Sequence, residues 1–422
     1  MIDTPVAYVD HPVLSGIAKA LVEERKVPVV VYKELNKEPC PLRVYGIGII
    51  ETGALSQINI ASRLPVSVKA ALMPDAHSGY GLPLGGVLAT DNSVIPYAVG
   101  LDIGCRMQMS VFDIPESATS QMHDYLVGVL NSNTIFGVGQ PMDVDIGHPV
   151  LQDEAFDIPA LKRMKLLENA KRSLGTSGAG NHFVEFGITT MPETGRRCLA
   201  VLSHSGSRGV GAKIGEVYTK IAMDKCGLEE QAKYLAWLSL DDEDGKEYWS
   251  AMTMAGAFAK ANHDIIHSRI EHALGVVKIA RFENFHNFAW KEIVNGQEVI
   301  VHRKGATPAG LGTVGLIPGS NSTPTYIVRG KGNLDSMCSS SHGAGRKMSC
   351  TVARNTFTME QFRENLREAG VTLIGGSLDE CSMAYKNIDE VMQYQTELVD
   401  AIGSFDPWIV RMAEENKKPW EK

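Results

Sequence analysis

Apolar residues recur three or four apart in five stretches: Leu161–Leu174, Val210–Cys226, Trp249–Leu274, Thr358–Ala369 and Ile388–Ile402. That period predicts helices burying one face. Glycine follows the first four, at Gly175, Gly227, Gly275 and Gly370, where a chain leaving a helix favours left-handed backbone. Thr358-Met359-Glu360-Gln361 has the form of a capping box. Pro12–Glu24 also has helical spacing, whereas Val27–Tyr32 and Arg43–Ile50 are β-branched runs that predict strands. Strand-like and helix-like segments do not alternate regularly, which argues against a doubly wound parallel sheet and for an α+β fold. Residues 1–422 read as a single large domain with a β-rich core and helical insertions, and no internal repeat or low-complexity segment is found. Residues 228–274 read as a helical surface insertion, opening with the acidic stretch Leu228–Glu247, and the polar tail Glu414–Lys422 is expected to fray. Glycine and proline crowd Ala71–Val87 and predict a shaped loop. Within it, Asp75 and His77 read equally well as an active-site wall or as turn caps.

Composition narrows the class. Of 422 residues, 44% are hydrophobic and 21% charged, an ordinary globular balance. No apolar run approaches the ~18 residues that a membrane span needs, and the Met1-Ile2-Asp3-Thr4-Pro5 start lacks the features of a secretory signal. The seven cysteines (40, 105, 198, 226, 338, 350, 381) are odd in number and contain no CxxC pair. A reducing compartment, the cytoplasm, is therefore expected rather than a disulfide framework. The net charge of −8 counts mildly against nucleic acid as a partner, so any phosphate-binding surface must be a local cluster on an acidic body.

Chemistry enters at Gly100-Leu101-Asp102-Ile103-Gly104-Cys105. A carboxylate and a thiolate three residues apart can turn onto one metal if the flanking glycines bend the chain, and that pair suits a borderline transition ion. On those residues alone, a buried free cysteine beside a turn aspartate is the better reading. Histidines in further glycine-, serine- and aromatic-rich connectors shift the balance. They stand in Gly178-Ala179-Gly180-Asn181-His182-Phe183-Val184-Glu185, Ser203-His204-Ser205-Gly206-Ser207-Arg208, Asn284-Phe285-His286-Asn287 and Ser341-His342-Gly343-Ala344-Gly345-Arg346. Loop-borne polar residues of this kind are where sites concentrate. The glycine-rich stretch before Asn181 lacks the Gly-Lys-Ser/Thr of a Walker A loop. His263-Asp264-Ile265-Ile266-His267 resembles a zincin motif with aspartate for glutamate. No third ligand is evident nearby, so two histidines on a helix face is the better reading.

Together these stretches, with Ile317-Pro318-Gly319-Ser320-Asn321, resemble the RtcB family of GTP-dependent RNA ligases. The DxxC, GNHFxE, HSGSRG, HN, PGS and SHGAGR elements occur in family order between about Ala71 and Tyr385. The resemblance implies that Asp102, Cys105 and His182 bind one Mn²⁺, and that Cys105, His204 and His286 bind a second through a bridging thiolate. It implies His342 as the nucleophile that takes up GMP. It also implies a guanylate site formed by Asn181, His182, Phe183, Val184, Glu185, His286, Asn287, Pro318, Gly319, Ser320, Asn321, Thr325, His342, Gly343, Ala344 and Gly345, with Arg208 and Arg346 holding RNA or nucleotide phosphates. The implied substrates are RNA ends bearing a 3′-phosphate (or 2′,3′-cyclic phosphate) and a 5′-hydroxyl, in RNA repair or tRNA splicing. The resemblance leaves room for an activating or release-factor-like protein partner and gives no role to a membrane.

Two departures stand out. Family members usually end in Val-Lys-Gly, whose lysine touches the guanylate. The matching place here is near Met412, with Arg411, Lys417 or Lys418 as substitutes, and Thr325 stands where serine is common. Other manganese-dependent phosphoryl or guanylyl transfer on RNA ends, or a catalytically inactive RNA- or ribosome-binding paralogue, are the alternative functions.

Overall fold

The computed structural model describes residue 14 and residues 33–137, 139–142 and 146–414. Apart from Leu14, the helix expected at Pro12–Glu24, the strand expected at Val27–Tyr32 and the tail beyond Glu414 lie outside the described residues. The fold is α+β.

The larger sheet follows the path Val314–Pro318, Thr325–Gly330, Val399–Glu414, Phe183–Thr190, Arg197–Ser205, Arg106–Pro115 and Lys278–Phe285, antiparallel throughout. Thr372–Gly376 adds a parallel strand beside Val399–Glu414. The path nearly closes into a barrel. Across the gap between its end strands, the Asn284 amide imitates a backbone: it accepts from Leu316 N at 2.8 Å and donates to Leu316 O at 3.2 Å. Alternation along the strands divides the side chains. Met107, Met109, Ala200, Leu202, Leu316 and Phe405 pack on one face. Val184, Phe186, Leu199 and Val201 pack on the other, against Ile266 and Ile270 of the helix Glu243–Leu274.

A second sheet, ordered Leu42–Val44, Ser67–His77, Leu84–Thr90, Gln297–Lys304 and Asn287–Val294, abuts the first through the turn at His286. The predicted loop Ala71–Val87 is mostly two antiparallel strands of this sheet, joined at 78–83. Residues 70–76 are fully buried, so tertiary pairing overrides the turn-forming residues.

The helices Gly209–Lys225 and Met359–Glu368 form as expected, the second with the Thr358/Gln361 capping box. The helix expected at Leu161–Leu174 is two, Pro159–Arg163 and Leu166–Ser173, broken at Lys165 in the left-handed region. Ile388–Ile402 yields only the helix Ile388–Gln393, because Val399 onward is claimed by the large sheet. Arg43–Ile50 gives a strand only to Val44, then a 3-10 turn. In the segment read as a surface insertion, Asp241, Asp242 and Glu243 are exposed. The helix that follows buries Tyr248, Met252, Phe258, Ile266 and Ile270 in two core clusters, so it is built into the body of the fold. Among the described residues, no helix is long and apolar enough to cross a membrane.

Candidate active site

The site forms where the barrel mouth meets the second sheet. After the turn at Gly100, Cys105 N bonds to Asp102 O at 3.2 Å, which brings the carboxylate and thiol to one side. Gly104, at φ +75°, lies against the long helix; a Cβ there would come within 2.8 Å of Gly256 Cα. Gly206 is constrained likewise, since a Cβ there would collide with the Asp102 carboxylate.

Cys105 Sγ is 3.4 Å from His182 Nε2 and 3.1 Å from His204 Nε2. His204 Nε2 is 3.2 Å from His286 Nε2, and His182 Nε2 is 3.0 Å from Asp102 Oδ2. Two trios of ligand atoms result, Asp102–Cys105–His182 and Cys105–His204–His286, each within 4.8 Å mutually and both using Cys105. His204 donates from Nδ1 to Asn181 O at 3.1 Å, so its Nε2 presents a bare lone pair to the thiol and to His286. Thiolate, imidazole and carboxylate together fit a borderline transition ion; His182, whose Nδ1 accepts from Arg208, directs its Nε2 at Asp102 and would give up that bond on binding an ion.

Burial sets the charge states. It drives His204 down to about 3 and His286 well below its ordinary value, keeping both neutral. It also pushes the Cys105 thiol up, with Asp102 adding to the effect. For Asp102, burial alone would raise the carboxyl, but the neighbouring His182 and Arg208 outweigh it and hold the group below the carboxylate range.

His342 follows the short strand Ser339–Ser341 and is the next ring along. Ring centroids step from His182 to His204 at 5.0 Å, to His286 at 5.0 Å and to His342 at 5.3 Å. Asp75, fully buried, takes three donors on Oδ2: His342 Nδ1 at 2.6 Å, His342 N at 2.9 Å and Gly343 N at 3.3 Å. The Nδ1 bond leaves His342 Nε2 as the ring nitrogen without a hydrogen-bond partner among the described residues. Burial would raise the Asp75 carboxyl, but His342 and Lys386 hold it down. Asp75 is therefore a positioning residue for His342 and sits on a strand rather than in a turn; the resemblance alone does not assign it that role. His77 lines the cavity beside it.

A cavity of about 290 Å³ opens beside the ligand trios. Of the residues expected to hold guanylate, Asn181, Phe183, Glu185, His286, Pro318, Gly319, Ser320, Asn321, Thr325, His342, Gly343, Ala344 and Gly345 line it. Val184 does not: strand alternation turns it to the helix-covered face, between Phe183 and Glu185, which face the cavity. Asn287 also stands outside, clamping Gly305 N at 2.8 Å and Asp102 O at 3.3 Å, and His182 faces the ligand trio. Desolvation pushes the Glu185 carboxyl well above its ordinary value. Leu84, Met107, Cys350, Glu380, Tyr385 and Met412 also line the wall, beyond the expected set.

Neither expected phosphate-binding arginine stands free. Arg208 donates to His182 Nδ1 at 2.8 Å and Ser177 O at 3.0 Å. Arg346 lines the cavity, but donates to Glu380 at 3.3 Å, Tyr385 OH at 3.3 Å and Asp379 O at 2.5 Å. Met412 occupies the cavity wall where a lysine was expected. Arg411 does not replace it, for its guanidinium is turned to Leu130 O and Thr134 O; Lys417 and Lys418 lie outside the described residues. His263 and His267 bond to Ser203, and neither belongs to a ligand trio among the described residues.

A family model described as tRNA-splicing ligase RtcB matches residues 57–413. The chain is 32% identical to the RNA-splicing ligase RtcB of Escherichia coli K12 over 403 residues, covering 88% of this chain and 97% of that protein. It is 30% identical to the tRNA-splicing ligase RtcB of Nanoarchaeum equitans, covering 89% and 96%. Against the RNA-splicing ligase RtcB of Mycobacterium tuberculosis, identity is 30%, with 83% and 98% covered.

Proposed function

The chain belongs to the RtcB family, and from that premise we propose that it joins RNA 3′-phosphate ends to 5′-hydroxyl ends at the expense of GTP. The observation carrying this reading is the shared cavity: His204, His286 and His342 all line it, with His342 Nδ1 bonded to the Asp75 carboxylate at 2.6 Å and Nε2 left without a partner among the described residues. Two Mn²⁺ ions would be held by Asp102, Cys105, His182, His204 and His286, where they would neutralise phosphate charge.

In the proposed sequence, His342 Nε2 attacks the α-phosphorus of GTP. An N–P bond forms, the α–β bridging P–O bond breaks, and pyrophosphate leaves with the electron pair. Throughout, Asp75 holds the proton on Nδ1 and stabilises the charged ring. An RNA 3′-phosphate oxygen then takes GMP from the histidine, restoring the free imidazole. Finally the 5′-hydroxyl oxygen attacks the activated 3′-phosphorus, loses its proton and expels GMP. A 2′,3′-cyclic end would first be opened by water to a 3′-phosphate. The buried Glu185 carboxyl faces the nucleotide space, where desolvation raises its affinity for a proton and it would hydrogen-bond the guanine edge. Arg208 and Arg346 are the cations proposed to meet phosphate, each giving up part of its present acceptor set.

Incubation with α-³²P-GTP and Mn²⁺ tests the reading. A covalent, acid-labile label is expected on the parent and absent from His342→Ala; RNA of joined length is expected when 3′-phosphate and 5′-hydroxyl strands are added. A parent protein that takes no label would overturn the nucleotidyl step. Label without joined product would instead favour another guanylyl transfer.

A further inference from the structure

The long helix Glu243–Leu274 carries two buried histidines and an asparagine that no step above uses: His263 is fully buried, His267 is 3% exposed and Asn262 is fully buried. Their hydrogen bonds form a chain with one possible direction. His263 Nε2 lies 3.1 Å from Ser205 O, an acceptor only, so Nε2 carries the proton and Nδ1 accepts. Ser203 Oγ, 2.6 Å from that Nδ1, therefore donates to it. With its single proton spent, Ser203 Oγ must accept from His267 Nε2 at 2.7 Å. His267 Nδ1 then accepts from Ser110 Oγ at 2.8 Å. Every polar atom is satisfied with both rings neutral, and burial lowers both rings' proton affinity accordingly.

The chain ends beside the metal ligands. Ser203 and Ser205 flank His204 on one strand; the Ser203 side chain faces the helix, and His204 faces the cavity. His263 thus grips the strand on both sides of the ligand. The same Ser205 carbonyl faces Cys105 Sγ at 3.5 Å. Next along the helix, Asn262 donates to Gly206 O at 2.9 Å and accepts from Gly175 N at 2.7 Å, tying together the two glycine-rich connectors that bear His204 and His182.

We propose that His263 is a positioning residue for the metal centre, fixing the His204 ring and the Ser205 carbonyl beside Cys105 through its bonds to Ser203 and Ser205. The inference rests on the ligand set proposed above. A hydrogen-bonded group behind a ligand typically carries an effect of roughly 10–100-fold on metal affinity. Whereas a fold-only role would lower thermal stability and leave a bound ion's spectrum alone, a positioning role changes the spectrum.

Cobalt(II) is the probe, added to the full chain. The parent should show a thiolate-to-cobalt band in the near ultraviolet. His263→Leu should raise the cobalt Kd by about tenfold or more and shift the visible ligand-field bands. His263→Gln, which keeps an acceptor and a donor, should restore most of both. If His263→Leu does not fold, Ser203→Ala removes a single hydroxyl of the same chain and should shift the bands in the same direction. A parent without the thiolate band overturns the ligand set and this inference with it. A normal parent band, with affinity and band positions unchanged in the variants, overturns the inference alone.

Discussion

Replacing Asp75 probes how His342 is held. Three donors converge on its Oδ2, two of them backbone N–H groups of His342 and Gly343. In Asp75→Asn those backbone donors keep the amide oxygen, not the amide nitrogen, facing the ring. His342 therefore retains its tautomer, and what is lost is the charge on the acceptor. A hydrogen bond to a charged group is worth roughly 1.5–3 kcal/mol and a neutral one roughly 0.5–1.5. The difference, about 1–2 kcal/mol, falls on the step in which the ring becomes positive. At about 1.4 kcal/mol per factor of ten, the guanylylation rate should drop about 5–30-fold. Asp75→Ala is harsher. It orphans all three donors in a site where the carboxylate is fully buried and frees the ring to rotate, so its loss should exceed 100-fold, on the order of 3 kcal/mol or more. Single-turnover labelling with α-³²P-GTP measures both, with near-ultraviolet circular dichroism as the check on folding. Folded Asn and Ala variants that label at the parent's rate would refute the assignment of Asp75 as the group that orients the nucleophile.

Cys105→Ala removes the one atom common to both ligand trios, so elemental analysis should find Mn²⁺ content reduced at both positions rather than one; full occupancy would overturn the bridging assignment. Glu185→Gln addresses the buried carboxyl. Its folded value is raised above the ordinary 4.5, so above pH 4.5 the folded state keeps a proton that the unfolded state has released. Stability conferred by that proton is present at low pH and is lost as pH rises toward the folded value, at up to about 1.4 kcal/mol per pH unit. The glutamine cannot titrate; denaturant unfolding should find the variant more stable than the parent at pH 8 and similar at pH 4, and parallel pH profiles for the two proteins would exclude a neutral buried Glu185.

How much of this was readable from residues alone varies with how local each feature is. Asp102 and Cys105 meet because a glycine-bounded turn three residues long leaves them little choice, and the capping box at Thr358 is closed within four residues. Where partners are distant, the sequence points wrongly or not at all. Asp75 lies 267 positions from His342, in a segment whose glycines and prolines suggest a loop; it falls in the irregular stretch between the Leu72–Gly86 and His77–Leu84 pairs of a strand that only long-range pairing forms. Val184 shows the opposite error. A contiguous motif invites every member into the site, yet a strand sends successive side chains to opposite faces, so Phe183 and Glu185 line the cavity while Val184 packs against Ile266 and Ile270. The same parity rule accounts for Ser203, His204 and Ser205: once His204 is committed to the ligands, Ser203 must face the helix. The metalloprotease-like pair His263 and His267, one turn apart on that helix, then has a serine to hold in place of an ion. One strand therefore joins the cavity to the buried helix, and the proposed role of His263 predicts that substitutions on the helix face reach the cavity through backbone position rather than through contact.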